Sequence, residues 1–221
     1  MLQHVWERAS TARYLTDLVV ATDDPRIRDA AAGFKARVMM TRADHRSGTD
    51  RAAEVASASN AEVIVNIQGD EPLIDPAAID AAVLGVVNNE ANDDSAQMCT
   101  LKKRIEREAE ISDPNVVKVV TDAQDNAIYF SRSPIPFVRD AGDAVYFKHI
   151  GLYVYRRDFL LNYSDLPVGP LEKAEKLEQL RALENGHKIR VVETEYESLG
   201  VDTPEDWERV SALYDSLMAK L

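Results

Sequence analysis

The sequence predicts an α/β fold: a mostly parallel sheet with helices on both faces and an antiparallel section in its middle. Three observations predict it. Short β-branched runs alternate with helical patterns through the first third of the chain. In the middle, alternating strands joined by turn chemistry replace that rhythm. A helix, a strand and a last helix then follow. At 221 residues the chain suits a single domain with a substantial core. No internal repeat or low-complexity linker divides it.

Each element has its own signal. Met1 to Ala9 reads as an amphipathic helix. Leu18 to Ala21 reads as a buried strand. Asp24 caps the next helix, with Pro25 at its first position and Gly33 near its end. Arg37 to Met40 is a second strand. A polar loop, Thr41 to Gly48, leads into a helix from Thr49 to Ser59. Val63 to Ile67 is the clearest buried strand, and it runs straight into Gly69-Asp70-Glu71-Pro72. A helix from Pro76 to Val87 follows. Val116 to Thr121, Ala127 to Phe130 and Phe147 to Tyr155 are strands, with turns over Asp122 to Asn126 and Ser133 to Gly142. A helix is expected from Pro170 to Asn185, a strand from Lys188 to Val192, and a helix from Pro204 onward.

Composition excludes several classes of function. A net charge of −12 argues against nucleic acid, whose binders need a basic stripe. It leaves a nucleotide substrate open, because magnesium can carry the local positive charge. No apolar run approaches the roughly 18 residues that span a bilayer, so membrane insertion is not expected. Cys99 is the single cysteine; it can form no internal disulfide and makes a cysteine-based zinc site implausible. A reducing cytoplasm is the simplest compartment.

Candidate chemistry gathers at element ends. Asp70 and Glu71 follow a strand, where open α/β sheets bind ligands, although Gly-Asp-Glu-Pro is also good turn chemistry. In Gly200-Val201-Asp202-Thr203-Pro204-Glu205-Asp206, Thr203 caps a helix, Pro204 opens it and Asp206 closes a box-like pattern. Asp202 is left over for another task. Two separated aspartates on such loops suit magnesium, which takes one or two carboxylates plus phosphate oxygens. His149, Gly151 and Tyr153 share one strand face, either a pocket floor or an ordinary half-exposed strand. Glu178 lies seven residues after Leu171 and four after Ala174, so a continuous helix would turn it inward. It then either binds something, with Gln179 beside it, or pairs with an arginine such as Arg181 or Arg190. Ser47, Gly48, Thr49 and Arg51 open a helix and suit an anion, though serine and threonine cap most helices. No nucleophile elbow and no Walker loop is present.

Seven segments, in order, carry a resemblance: Val20-Ala21-Thr22-Asp23; Thr41 to Arg51; Val65 to Pro72, which includes Gln68; Tyr129-Phe130-Ser131-Arg132; His149 to Tyr153; Pro170-Leu171-Glu172 through Glu178-Gln179-Leu180-Arg181; and Gly200 to Asp206. Together they resemble the 3-deoxy-manno-octulosonate cytidylyltransferases over essentially the whole chain. The Gly-Asp-Glu-Pro element alone is shared with other sugar nucleotidyltransferases. The resemblance implies a nucleotidyltransferase-type α/β sandwich, usually a homodimer, that joins CMP from CTP to the sugar acid Kdo for lipopolysaccharide assembly. It implies that Asp70 and Asp202 hold Mg²⁺. It implies that Gln68, Arg132, His149, Tyr153, Glu178 and Gln179 contact the sugar acid, and that Ser47 to Arg51 line the nucleotide side.

Two departures stand out. The family's opening strand and its Pro-Ala-Arg…Gly-Lys-Pro loop, which supplies phosphate donors, would fall before Met1. The expectation is a mis-called start or an incomplete assembly rather than an evolved loss, and little or no turnover by the chain as it stands. Asp50 stands where many relatives carry glutamate, a change that keeps the charge. Two other readings stay open: a cytidylyltransferase for a related acidic or amino sugar, and a non-catalytic remnant that binds sugar or a partner chain.

Overall fold

A computed structural model of the chain describes residues 1–88, 96–140 and 145–218. The first run of elements is α1 (Leu2–Ala9), β1 (Val20–Thr22), α2 (Pro25–Gly33), β2 (Val38–Met40), α3 (Gly48–Ser57), β3 (Val63–Asn66) and α4 (Pro76–Val87). Local chemistry sets these boundaries. Asp24, Ser47 and Asp75 each accept a backbone N–H at the start of α2, α3 and α4. Pro25 and Pro76 occupy first-turn positions whose N–H would have no helical partner.

The middle holds β4 (Met98–Arg104), α5 (Glu108–Ser112), β5 (Lys118–Thr121), β6 (Ala127–Ser131) and β7 (Phe147–Arg156). Then come α6 (Arg157–Tyr163), α7 (Pro170–Glu175), α8 (Leu180–Glu184), β8 (Ile189–Glu193) and α9 (Pro204–Met218). Of the turn expected over Ser133 to Gly142, the last two residues lie outside the described residues.

The sheet is mixed, with helices around it, as the sequence predicts. β1 and β2 pair in parallel. A six-stranded sheet runs β6-β5-β7-β4-β8, with β3 also paired to β7. β7 is antiparallel to β3, β4 and β5, while β4 and β8 are parallel. So β3, β4, β5 and β8 point one way, and β6 and β7 point back. Apolar side chains fill both faces. On one, α1 and α4 bring Val5, Ala9, Ile79, Ala82 and Val86 against Leu101, Ile150, Leu152 and Val154. On the other, α3, α6 and α8 bring Ala56, Leu160, Tyr163 and Leu180 against Met98, Val119, Phe130, Tyr155 and Val191. Two faces buried at once explain why these helices and strands cannot separate without exposing a core.

Two readings need correction. Val63 to Ile67, the clearest buried strand by sequence, is half-buried throughout. The helix expected over 170–185 is broken: Lys176 adopts a left-handed conformation (φ 55, ψ 45) that ends α7, and α8 folds back. Long-range polar bonds hold the break. Glu184 accepts the N–H groups of Leu171 and Glu172 at 2.8 and 2.9 Å, and Arg181 grips Glu172 at 2.9 and 2.6 Å. Leu171 and Ala174 are therefore exposed, and share no inward stripe with Glu178.

Gly85 shows how closely α4 approaches the sheet. A Cβ there would lie 2.5 Å from Cys99 Sγ and 2.9 Å from Val192 Cγ2. In an open helix, alanine is favoured over glycine by about 1 kcal/mol. Here we expect the opposite sign: Gly85→Ala should destabilise the fold by about 1–3 kcal/mol through overpacking. Urea unfolding measures it, and a gain in stability would refute the close approach.

Candidate active site

The loop after β3 is clasped from below by a buried carboxylate. Glu71 turns inward and accepts from Tyr196 Oη and Ser198 Oγ, both at 2.7 Å. Burial pushes its carboxyl above the usual glutamate range, although both hydroxyl donors pull it down. The clasp holds the segment after β8 across the end of β3. There the Val201 N–H donates to the Asp70 carbonyl at 3.0 Å. A side chain at Gly200 would stand 3.8 Å from Asp70 Oδ2, so the backbone passes close to that carboxylate. Asp202 follows directly. Thr203 and Asp206 cap α9 reciprocally, with Asp206 N–H donating to Thr203 Oγ1 at 3.1 Å and Thr203 N–H to Asp206 Oδ2 at 3.1 Å. That box closes without the Asp202 side chain.

Among the described residues, no three metal-binding side chains come together. The Val201–Asp70 backbone bond brings the loops that carry Asp70 and Asp202 together, and magnesium needs few protein carboxylates when substrate phosphates and waters complete its octahedron.

A second group surrounds the linker between α7 and α8. Glu178 sits in that linker, half-buried, and accepts from Ser47 Oγ at 3.1 Å. Tyr163 Oη donates to its backbone carbonyl at 2.8 Å. Arg181 belongs to Glu172, and Arg190 lies against Asp125 at 4.0 Å. The arginine pairing that sequence left open is thus not made with either residue. Burial raises the Glu178 carboxyl above its ordinary range, and the donors Ser47 and Thr49 offset part of that. Ser47 and Glu178 also line a polar cavity of about 750 Å³, together with Arg46 and Lys176.

Gln179 is buried and accepts from Tyr153 Oη at 3.2 Å, while its Nε2 has no partner among the described residues. An orphaned buried donor is costly unless a ligand satisfies it. His149 lies tilted against Tyr153, with ring centroids 5.5 Å apart, and meets the Phe130 ring edge-on at 5.0 Å. Burial holds the His149 imidazole down to about 3, so the ring is neutral at physiological pH. The shared face expected for His149, Gly151 and Tyr153 is present: these half-buried residues alternate with buried Ile150, Leu152 and Val154.

Arg132 lies at the end of β6, fixed by its backbone and side chain together. Glu175 accepts from Arg132 N–H at 3.0 Å and Ser131 Oγ at 2.6 Å, while Arg132 Nε donates to the Glu175 carbonyl at 2.8 Å. Its Nη1 donates to Pro114 O at 2.9 Å. From the buried side, the Lys118 ammonium donates to the Arg132 carbonyl at 2.7 Å. Sequence reasoning singled out neither Glu175 nor Lys118. A charge in the strand pattern of Lys118 was a signal, but Glu175 looks like any solvated helix carboxylate.

The helix-opening residues divide. Gly48 and Arg51 line a smaller cavity of about 330 Å³ with Gln68, between β1 and β3. Arg51 is already neutralised by Asp23 at 2.8 Å and bonded to Thr41. Thr49 is buried, with its hydroxyl 3.5 Å from Tyr155 Oη.

A mixed sheet with helices on both faces and acidic loops at its strand ends defines a nucleotidyltransferase-type protein. The sequence model of the family described as Cytidylyltransferase matches residues 1–189. The 3-deoxy-manno-octulosonate cytidylyltransferase of Solibacter usitatus is 72% identical, over 97% of this chain and 84% of its own. The enzyme of that name from Geobacter sulfurreducens is 56% identical, over 95% of this chain and 87% of its own. A solved structure of CMP:2-keto-3-deoxy-manno-octonic acid synthetase complexed with CTP superimposes with a TM-score of 0.92 at 44% identity, covering 97% of this chain and 87% of that one. The chain belongs to the 3-deoxy-manno-octulosonate cytidylyltransferase family. A thymidylyltransferase structure from Bacillus anthracis, 14% identical with a TM-score of 0.64, shares the fold alone.

The Glu178 carboxyl yields a prediction with a defined sign. A carboxyl whose folded value is raised binds protons more tightly when folded, so stability falls as pH rises from the ordinary glutamate range through the raised value. Glu178→Gln keeps an acceptor for Ser47 and removes that cost. Its thermal midpoint should exceed that of the parent at pH 7, and the difference should vanish below the ordinary glutamate range. An equal midpoint at both extremes would show that the charge is fully solvated.

Proposed function

We propose that this chain transfers CMP from CTP to Kdo, forming CMP-Kdo and releasing pyrophosphate, in a magnesium-dependent reaction. The observation that carries the reading is the Glu71 clasp, which draws the Asp202 segment onto Asp70 at the carboxyl end of β3. The cytidylyltransferase relatives support the nucleotide, and the sugar acid for which those enzymes are named supports the acceptor.

The anomeric hydroxyl of Kdo attacks the α-phosphorus of CTP. An O–P bond forms, the hydroxyl proton is lost, and the bond to the β-phosphate breaks. No covalent nucleophile is needed, so positioning and charge stabilisation are the chain's tasks. Magnesium, when bound, would neutralise phosphate charge and orient the triphosphate. Asp70 and Asp202 would hold it. Arg132, with two carbonyls fixing its plane, has remaining N–H groups for the sugar carboxylate. Glu178 accepts from sugar hydroxyls, and the orphaned Gln179 Nε2 donates to one. His149, Tyr153 and Gln68 complete the sugar side. Ser47, Gly48, Thr49 and Arg51 line the nucleotide side; Arg51 must exchange Asp23 for substrate to act there.

The reading implies a cytoplasmic step in lipopolysaccharide synthesis and a homodimer as the working form. Phe137, 90% exposed, is a side chain that a second copy could cover. Among the described residues, no helix is long and apolar enough to cross a membrane.

Two outcomes are expected from the chain joined to the N-terminal strand and loop that the resemblance implies. It should release pyrophosphate from CTP with Kdo and magnesium. Turnover with a neutral hexose phosphate instead of Kdo would reject the substrate. Asp70→Asn and Asp202→Asn should each lower turnover by at least about 10²-fold, since even outer partners of metal ligands cost 10–100-fold. Their thermal midpoints should stay close to that of the parent. Near-normal turnover of either variant at limiting magnesium would remove that residue from the metal site.

A further inference from the structure

Thr100 is wholly buried, on β4, at the point where the ladder to β7 slips. Cys99 faces Val154 and Leu101 faces Ile150, so β7 spends four residues where β4 spends two. The two extra residues make a bulge around Gly151 to Tyr153. A surplus of two keeps the alternation of faces intact, so His149 and Tyr153 still point the same way. The bulge also leaves carbonyls in need of a donor. Thr100 Oγ1 lies 2.9 Å from Ile150 O and 2.9 Å from Leu152 O. It also lies 2.9 Å from His149 Nε2.

A hydroxyl has one proton to give. Both carbonyls can only accept, and both lie at hydrogen-bonding distance, so the Thr100 proton belongs to them. Giving it to His149 instead would set two carbonyl oxygens against the threonine lone pairs with no proton between. Nε2 must therefore donate to Thr100. A neutral imidazole carries one proton, so a protonated Nε2 means a bare Nδ1. Desolvation of this half-buried ring favours its neutral form, which agrees with that count.

We propose that Thr100 is a positioning residue that fixes the His149 tautomer, so that Nδ1 stands as a hydrogen-bond acceptor for a hydroxyl of the sugar acid. The sugar-acid part rests on the function proposed above; the tautomer does not. With Nδ1 accepting and Gln179 Nε2 donating, neighbouring groups read opposite polarities. A hydroxyl satisfies Nδ1, whereas an ether or keto oxygen in its place meets lone pair with lone pair.

Histidine-selective ¹⁵N NMR on this chain tests the first half without substrate, with His149→Asn identifying the signal. At neutral pH, Nε2 should carry the proton and Nδ1 none. A proton on Nδ1 would overturn the proposal. Kinetics of the chain joined to the expected N-terminal segment tests the second half. Thr100→Val should raise KM for the sugar acid about tenfold, the worth of one hydrogen bond. Its kcat and KM for CTP should stay within about twofold, and Thr100→Ser should restore the parent KM. Unchanged KM in a folded Thr100→Val, or no rescue by serine, would also overturn it. If valine prevents folding, the parent tautomer and the serine variant still decide. A parent that ignores the sugar acid but shows the stated tautomer would reject the function and leave the Thr100–His149 arrangement standing.

Discussion

Strand β7 is the member on which the others hang. It runs against its neighbours and pairs with three of them, β3 and β5 along one edge and β4 along the other. Its alternate residues divide the molecule: Ile150, Leu152 and Val154 enter one core, while His149 and Tyr153 lie on the opposite face. A slip of one residue would exchange those sets. The bulge opposite Thr100 therefore matters for what it preserves as well as for what it bends. It adds an even number of residues and leaves the division intact.

Around that strand the site holds groups that the fold does not favour. Glu71 and Glu178 are carboxylates whose charged forms are disfavoured by burial, and Gln179 buries a donor without a partner. A core built for stability alone would replace them with apolar residues. Their costs have different uses. Glu71 closes a connection between two loops far apart in sequence, with its charge spent on two hydroxyls. Glu178 and Gln179 keep hydrogen-bonding capacity that the protein leaves unused, which suits a surface awaiting a polar ligand.

Much of this was legible because local chemistry and tertiary outcome agree. Proline and aspartate at the starts of α2 and α4, and the serine cap of α3, fix those helices wherever they pack. Asp202 stood out because Thr203 and Asp206 satisfy the helix start alone. The break after α7 was illegible, because no glycine or proline marks it. Lys176 turns left-handed through bonds that Arg181 and Glu184 make from the other side. Glu178 was thus singled out from a helical spacing that does not exist, and it is half-buried for another reason: the linker tucks it under Ser47. β4 was missed because Lys102 and Lys103 interrupt its apolar run, yet Lys102 is buried, its ammonium reaching Thr121 and Asp125 at 3.0 Å. Thr100 was invisible for a plainer reason, since a threonine in a strand is ordinary until its hydroxyl is counted against its neighbours.

The notch at Gly85 has a consequence for how α4 settles on the sheet. A helix that is apolar all round, as this one nearly is, carries little information about which side should face inward. Leu84 and Val86 flank the glycine, and turning the helix by about 100° would bring either towards the same spot on β4 and β8. Neither fits where a single added carbon already collides with Cys99 and Val192. The missing side chain therefore works as a keyway: it selects one azimuth for the helix among several that hydrophobicity alone would accept.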